Sequence, residues 1–229
     1  MRYAIYYAPA PGTALHQLGA HWLGRDAHTG EALAQPAIDG IAGLTAEPRR
    51  YGVHATLKAP FALRRGIEPE PLMRACAALA AQVGVFRVRL RPDVLDGFLA
   101  LVPDGDPAAL NSLAERCVRE LDGFRSPPSE EELKRRRLAP LNARQEAQLT
   151  RWGYPYVLDD FRFHMTLTHK LAPGDAERLM AAAEALFSPV LREPVAIDGI
   201  TLFQEPGPGA DFLALRHFPF ALSEAEAAA

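Results

Sequence analysis

Short stretches in which apolar and polar residues alternate recur along this chain. Residues i and i+2 of a strand point to the same face, so this alternation predicts β-strands buried on one side. The strand-like stretches are 2–8, 52–58, 85–90, 98–103, 162–170, 195–203 and 212–218.

Between these strands, apolar residues recur every three or four positions, as they do on the buried stripe of a helix. Proline in the first turn or glycine after the last residue marks several helix ends. The predicted helices are 13–23, 69–82, 107–122, 130–137, 142–152 and 173–187. Strands and helices mixed in this way predict an α+β fold.

A repeated order of elements divides the chain in two. Each half runs from a strand through a helix to a second strand, a turn and the tetrapeptide Phe-Leu-Ala-Leu, which begins at Phe98 and again at Phe212. We therefore expect one domain with two lobes, each an antiparallel sheet with helices packed outside, and a central cleft between the lobes. The domain covers residues 1–229, with the first half at about 45–123, a helical insertion at about 124–160 and the second half at about 161–220.

The first strand of each half carries the same short motif: a histidine, any residue, a threonine and a leucine. The copies are His54–Leu57 and His164–Leu167. Of the seven histidines in the chain, only these two are followed in this way. Strand geometry places each histidine on the same face as the threonine of its own motif.

Two histidines and two threonines are suited to the cleavage of a phosphodiester. One imidazole can take a proton from the attacking oxygen while the other gives a proton to the leaving oxygen. Threonine hydroxyls can donate hydrogen bonds to the non-bridging phosphate oxygens. We predict His54 and His164 as the catalytic pair and Thr56 and Thr166 as substrate-binding residues, with no metal ion. The sequence leaves open which histidine is the base.

Polar residues near the motifs could add to phosphate binding. Lys58 and Thr168 have the same parity along their strands as the motif histidines, so both are substrate-binding candidates; a solvated lysine at the strand end is the alternative for Lys58. The basic run 134–137 follows three glutamates and fits a solvated helix, with phosphate binding as the alternative. Further arginines whose facing the sequence does not fix are Arg49, Arg87, Arg89 and Arg162.

The composition is that of an ordinary soluble globular protein, with 48% hydrophobic and 23% charged residues. A net charge of −3 argues against broad nucleic-acid binding, although it allows a local basic groove. No apolar run reaches the ~18 residues of a membrane span. Cys76 and Cys117 lack the spacing of a zinc site and fit buried, reduced thiols. We expect a cytoplasmic monomer that does not bind membranes.

The paired motifs and the order of elements around them resemble the two-histidine (2H) phosphoesterase superfamily, which includes RNA 2′,3′-cyclic phosphodiesterases. The stretch Tyr51–Phe61 is similar to one uncharacterised branch, associated with bacterial phosphonate-utilisation operons. The resemblance implies a two-lobed fold and a metal-independent phosphoric diester hydrolase without a cofactor. It also implies a small phosphodiester or nucleotide substrate: a cyclic ribose phosphate, a 2′,3′-cyclic nucleotide or an RNA end.

Two other functions are compatible with the same residues. A non-catalytic nucleotide- or RNA-binding module could use the same cleft, although both motifs are intact. A histidine-based metallohydrolase is less well supported, because the motif strands carry no nearby carboxylate of matching parity. Residues 24–50, which are rich in glycine and proline, could form a lid over the site.

Overall fold

The fold is α+β, with antiparallel sheets and helices packed against them. A computed structural model describes residues 1–172 and 174–221. The strands are, in chain order, β1 (Arg2–Tyr7), β2 (Ala55–Phe61), β3 (Phe86–Val88), β4 (Leu90–Leu95), β5 (Phe98–Pro103), β6 (Met165–Lys170), β7 (Val195–Ile197), β8 (Gly199–Glu205) and β9 (Leu213–Pro219).

The helices lie between these strands, and the predicted insertion contributes two of them. They are α1 (Ala14–Leu23), α2 (Ile41–Leu44), α3 (Ala46–Arg49), α4 (Pro69–Ala80), α5 (Ala108–Glu120), α6 (Glu130–Arg136), α7 (Ala143–Trp152) and α8 (Asp175–Leu191). No helix in the described part of the chain is long and apolar enough to cross a membrane.

Seven of the strands form one antiparallel sheet that consists of two lobes. Its order is β4-β5-β6-β2-β1-β8-β9, while β3 and β7 form a separate two-stranded sheet. Strands β2 and β6, which follow the two motif histidines, meet at the centre. Among the described residues, a single pair, Ala55 opposite Met165, joins β2 to β6. One lobe is therefore β2-β1-β8-β9 and the other is β6-β5-β4.

Each lobe combines strands from both halves of the chain. Strand β2 pairs with β1, which in turn pairs with β8 near the end of the chain. Strand β6 pairs with β5 from the first half. The two Phe-Leu-Ala-Leu repeats consequently do not mark equivalent strands, because β5 lies beside β6 whereas β9 lies at the outer edge of the sheet.

Strand β1 shows how the two faces of the sheet differ. Tyr3, Ile5 and Tyr7 belong to the main hydrophobic core, which also contains apolar residues of α4, α5 and α8. Ala4 and Tyr6 belong to a smaller apolar cluster on the opposite face. The alternation of β1 therefore separates a face covered by helices from a second face, on which Tyr6 lies.

The predicted elements differ from the observed ones mainly at their ends. Strands β2 and β6 begin at Ala55 and Met165, so each motif histidine immediately precedes its strand. The helix predicted from residue 173 is described from Asp175 onward, and Pro173 lies outside the described residues. Residues 24–50 contain the short helices α2 and α3.

Candidate active site

The two motifs meet at the pair that joins the lobes. Antiparallel strands place the residues on either side of such a pair next to each other in the opposite order. Since Ala55 lies opposite Met165, His54 is brought beside Thr166 and Thr56 beside His164. The structure thus brings both histidines and both threonines to one place, and each histidine lies beside the threonine of the other motif.

Both motif histidines are held in the same way by the chain that precedes them. Nδ1 of His54 lies 3.0 Å from the carbonyl oxygen of Gly52, and Nδ1 of His164 lies 2.7 Å from that of Arg162. A carbonyl oxygen only accepts hydrogen bonds, so each Nδ1 carries the hydrogen and donates it. In the neutral ring, Nε2 then has a free lone pair and can exchange a proton. For His54, this atom lies 3.3 Å from Oγ1 of Thr56.

Aromatic rings surround His54 and lower its pKa. Its ring centroid lies 4.0 Å from that of Tyr6, 5.7 Å from that of Tyr51 and 6.4 Å from that of Phe203. Removal of water from the imidazole is the main reason that its pKa falls to about 4, and the nearby charge of His164 lowers it further. His54 is therefore a neutral imidazole at neutral pH.

The surroundings of His164 are less apolar. Its ring packs against Phe98 at a centroid distance of 5.5 Å. Burial lowers the pKa of His164, while the hydrogen bond to Arg162 and the nearby carboxylate of Asp96 act in the opposite direction. Asp96 is itself 3.6 Å from the guanidinium of Arg162.

A cavity of about 500 Å³ opens beside the motifs. His54, Thr56, Thr166 and Thr168 all contribute to its lining. His164 is not among the lining residues, but it is near enough to His54 to lower the pKa of that histidine. The other residues of the lining are Arg2, Tyr6, Glu47, Pro48, Arg50, Tyr51, Ala59, Pro60, Arg135, Arg136, Tyr154, Glu205 and Gly209. A cavity of this size suits a small organic ligand.

Lys58 does not reach this cavity, because a β-bulge reverses its facing. Thr56 pairs with Tyr6, but Lys58 pairs with Ile5, so one residue of β2 is unpaired between them. Lys58 consequently faces the main core with Ile5. Its ammonium is buried and donates to the carbonyl oxygen of Val118 at 3.0 Å and to Oδ1 of Asp122 at 3.2 Å. Beyond the bulge, residues of β2 with the parity of His54 no longer share its face, so the prediction for Lys58 is wrong.

Thr168 borders the cavity but has a structural bond. Its side chain is fully buried, and its hydroxyl accepts a hydrogen bond of 3.0 Å from the backbone N–H of Leu99. This bond fixes β6 against β5 at an irregular point of their pairing. The hydroxyl retains its own hydrogen as a donor.

The four arginines singled out beside the motifs do not line the cavity. Arg49 donates to the carbonyl oxygens of Leu23 and Ala42, and thus holds the 24–50 segment together. The guanidinium groups of the others contact the protein itself: Arg87 contacts the carbonyl of Pro194, Arg89 that of Arg192, and Arg162 the carboxylate of Asp96.

A second group of charged residues lines the cavity and was not predicted from the sequence. Arg2 and Glu205 lie opposite each other on β1 and β8 and form an ion pair. Glu205 also lies 3.6 Å from Arg50. The alternation of β1 does indicate that Arg2 and Tyr6 share a face. It could not show that this face borders the motifs, because that depends on pairing between distant strands.

Among residues 1–172 and 174–221, no three His, Cys, Asp or Glu side chains are grouped closely enough to hold a metal ion. Both cysteines are buried in the main core, where burial raises the pKa of the Cys76 thiol to about 12 and raises that of Cys117 as well.

The fold and site together define a two-lobed α+β protein with paired His-x-Thr motifs at the junction of its lobes. Residues 56–213 match a sequence family described as "Protein of unknown function (DUF1045)". The chain belongs to this family.

Two curated relatives match nearly the whole chain. A protein of Janthinobacterium sp. (strain Marseille) named ribose 1,5-bisphosphate phosphokinase PhnN is 44% identical over 231 residues, covering 96% of this chain and 51% of the relative. A protein of the same name from Laribacter hongkongensis (strain HLHK9) is 39% identical over 218 residues, covering 93% of this chain and 50% of the relative. The chain thus spans about half the length of the curated relatives it matches.

Solved structures show more distant similarity. TT0787 of Thermus thermophilus is 15% identical with a TM-score of 0.48, over 96% of this chain and 98% of that one. E. coli LigT complexed with NADP+ is 13% identical with a TM-score of 0.38, over 96% of this chain and 97% of that one. Similarity at this level leaves the function to the chemistry of the site itself.

Proposed function

We propose that this protein is a two-histidine phosphoesterase that hydrolyses a cyclic phosphate or another phosphodiester without a metal ion. The observation that carries the proposal is that equivalent backbone hydrogen bonds orient the imidazoles of His54 and His164. Each donates Nδ1–H to the carbonyl two residues before it and keeps Nε2 for proton transfer. Such a fixed tautomer is what a pair of general acid and base requires.

His54 is the general base in this proposal, because the aromatic rings keep it neutral. Its Nε2 takes a proton from water, whose oxygen attacks phosphorus. The bond from phosphorus to the leaving oxygen breaks, and His164 in its protonated form supplies the proton that this oxygen needs. The products are a phosphomonoester and a free hydroxyl, and the two histidines exchange roles in the reverse direction.

Thr56 and Thr166 bind the non-bridging oxygens of the phosphate. Both line the cavity, and the strand pairing sets them beside the histidines of the opposite motifs. Hydroxyl donors fixed on two strands need little reorganisation as charge develops on the phosphate. Thr168 can donate a further hydrogen bond, whereas Lys58 has no part in binding.

A cyclic ribose phosphate is the substrate class that we favour. The resemblance to a branch associated with phosphonate-utilisation operons supports it, as does the name of the two curated relatives, which refers to ribose 1,5-bisphosphate. A 2′,3′-cyclic nucleotide presents the same five-membered cyclic phosphate and is the second candidate.

Hydrolysis of a panel of 2′,3′-cyclic nucleotides and cyclic ribose phosphates in the presence of a chelator tests the proposal. We expect turnover by the wild type and a loss of roughly 10²–10⁴-fold in His54→Ala and in His164→Ala. His169→Ala is the matched control, because His169 lies on β6 and does not line the cavity.

Three results would contradict the proposal. Turnover abolished by the chelator would indicate a metallohydrolase. Unchanged turnover in either motif variant would remove that histidine from the mechanism. Tight nucleotide binding without turnover of any compound would indicate a binding module.

A further inference from the structure

The cavity is more basic than the reaction at the histidines requires. Its lining contains four arginines and two glutamates, an excess of two positive charges. The chain as a whole carries a net charge of −3, so the positive charge is concentrated locally. A cavity with this balance favours a ligand with several negative charges.

Two of the four arginines are neutralised by the protein itself. The carboxylate of Glu205 is buried, pairs with Nε of Arg2 and lies 3.6 Å from Arg50. The carboxylate of Asp211 also lies near Arg50, at 3.8 Å from its Nε. These contacts give Arg2 and Arg50 structural partners, and they leave the excess charge with the other two arginines.

Arg135 and Arg136 at the end of α6 hold that excess charge. Within residues 1–172 and 174–221, no carboxylate forms an ion pair with either guanidinium, and that of Arg136 lies 4.6 Å from the ring centroid of Tyr154. Glu47, the remaining acid of the lining, offsets one of these two charges, so an excess of one positive charge remains once Asp211 is counted with Arg50.

Core packing does not explain why α6 lies where it does. None of its residues is buried. Its contacts with the rest of the molecule are polar: the carboxylate of Glu132 lies 4.0 Å from Arg2 at the cavity, and Arg137 forms an ion pair with Glu146 of α7. These contacts hold α6 beside the cavity.

We infer that Arg135 and Arg136 bind a second phosphate group, a terminal phosphomonoester of the substrate whose cyclic phosphate meets the histidines. The inference rests on the proposed function, since it places the cyclic phosphate at His54 and His164. A cyclic phosphodiester carries one negative charge, whereas a terminal phosphate adds about 1.5–2. Guanidinium groups bind such phosphates through paired, charge-assisted hydrogen bonds. The substrate class is therefore a cyclic phosphate of a sugar or nucleoside that also bears a terminal phosphate.

The test compares two ligands that differ only in that group. Adenosine 2′,3′-cyclic phosphate and its 5′-phosphorylated form are titrated into the protein by calorimetry, and kcat/KM is measured for both. We expect the phosphorylated form to bind at least about 10-fold more tightly to the wild type. Arg135→Ala and Arg136→Ala should each reduce this ratio about 10-fold or more and leave the affinity for the unphosphorylated form unchanged.

Lys134→Ala is the matched control, because it removes one positive charge from the same helix without altering the lining of the cavity. It should preserve the ratio. Arg135→Lys keeps the charge but not the planar fork, and should retain only part of the preference.

The outcomes separate this inference from the proposed function. Equal affinity for the two compounds, no binding of the phosphorylated form, or a ratio reduced as much by Lys134→Ala as by Arg135→Ala would overturn the inference. Turnover of both compounds at equal rates would do so while the proposed function stands. A preference that depends on Arg135 and Arg136 but comes without any turnover would support the phosphate site and count against hydrolysis.

Discussion

At the scale of single residues, the aromatic rings around His54 determine what that histidine can do. Tyr6 is almost fully buried, and its ring lies against the imidazole. The rings keep water away from the imidazole, and burial of this kind disfavours its protonated form. The pKa of about 4 keeps His54 unprotonated near neutral pH, as a general base must be, and it sets the acidic limit of the pH range in which the site can work.

We predict a bell-shaped dependence of kcat/KM on pH, with its optimum on the acidic side of neutrality. Activity falls near pH 4 as His54 becomes protonated, and it falls again on the alkaline side, where His164 loses its proton, at a pKa below 6.5. NMR titration of the two imidazoles assigns the limbs, and a His54→Gln variant identifies its resonance. A flat profile between pH 4 and 8, with chemistry rate-limiting, would contradict the assignment.

Because Lys58 faces the core, we expect it to contribute to the stability of the protein and not to catalysis. Burial lowers the pKa of its ammonium, while the carboxylate of Asp122 keeps it charged. Asp122→Ala should therefore lower the free energy of unfolding by about 3–5 kcal/mol, because it leaves a buried charge without its partner. Lys58→Met should cost less, since Asp122 still accepts a 2.9 Å hydrogen bond from Arg125.

Denaturant unfolding measures both effects, and kcat/KM should be unchanged in Lys58→Met. A large loss of kcat/KM in Lys58→Met at unchanged stability would show that Lys58 does contribute to the active site.

At the scale of elements, the turn before β2 positions the base. Gly52 has a φ of +72°, in the left-handed region, and its carbonyl oxygen holds Nδ1 of His54. A Cβ at this position would overlap the Cβ of Ala27. Only glycine fits both the backbone conformation and the space.

Gly52→Ala should lower the free energy of unfolding by more than the roughly 1–2 kcal/mol of a left-handed alanine, because the overlap adds to it. It should also lower kcat, since the carbonyl that orients His54 must shift. Gly66→Ala is the control, with a φ of +81° and open space around the site of the new Cβ. Equal effects of the two changes on kcat would show that Gly52 does not position the base.

The motif strands also show what the sequence could and could not predict. Regular alternation predicted the strands and the facing of His54, Thr56 and Thr166. The bulge after Thr56 depends on pairing with β1, so a parity rule applied to one strand could not place Lys58. Arg135 and Arg136 lie on a short helix without a buried stripe, and the apolar pattern therefore gave no facing for them.

At the scale of the whole molecule, each of the two lobes contains strands from both halves of the chain. The repeated order of elements indicated two lobes around a cleft, and the structure has them. It could not indicate that β1 would pair with β8 while β5 pairs with β6. Pairing between strands from different halves of the chain depends on long-range contacts, which a local sequence pattern does not show.

Neither half of the chain should fold alone. In a fragment of residues 1–126, β5 lacks β6 and β1 lacks β8. In a fragment of residues 127–229, β6 lacks β5 and β8 lacks β1. We expect each fragment to give little cooperative unfolding by circular dichroism. Coexpression should restore a folded complex that contains both motifs. Cooperative unfolding of the isolated fragment 1–126 would argue for independent lobes.

The pairing of β1 with β8 has a consequence for how the protein is made. Arg2 and Glu205 are 203 residues apart, yet their strands are neighbours in the sheet. At about 5–20 residues per second, the ribosome leaves β1 without this partner for roughly 10–40 s. Its buried tyrosines and isoleucine are exposed throughout that time, next to an open strand edge. The lobe that holds His54 is therefore completed only after β8 has been synthesised, and β1 lacks one of its two neighbouring strands until then.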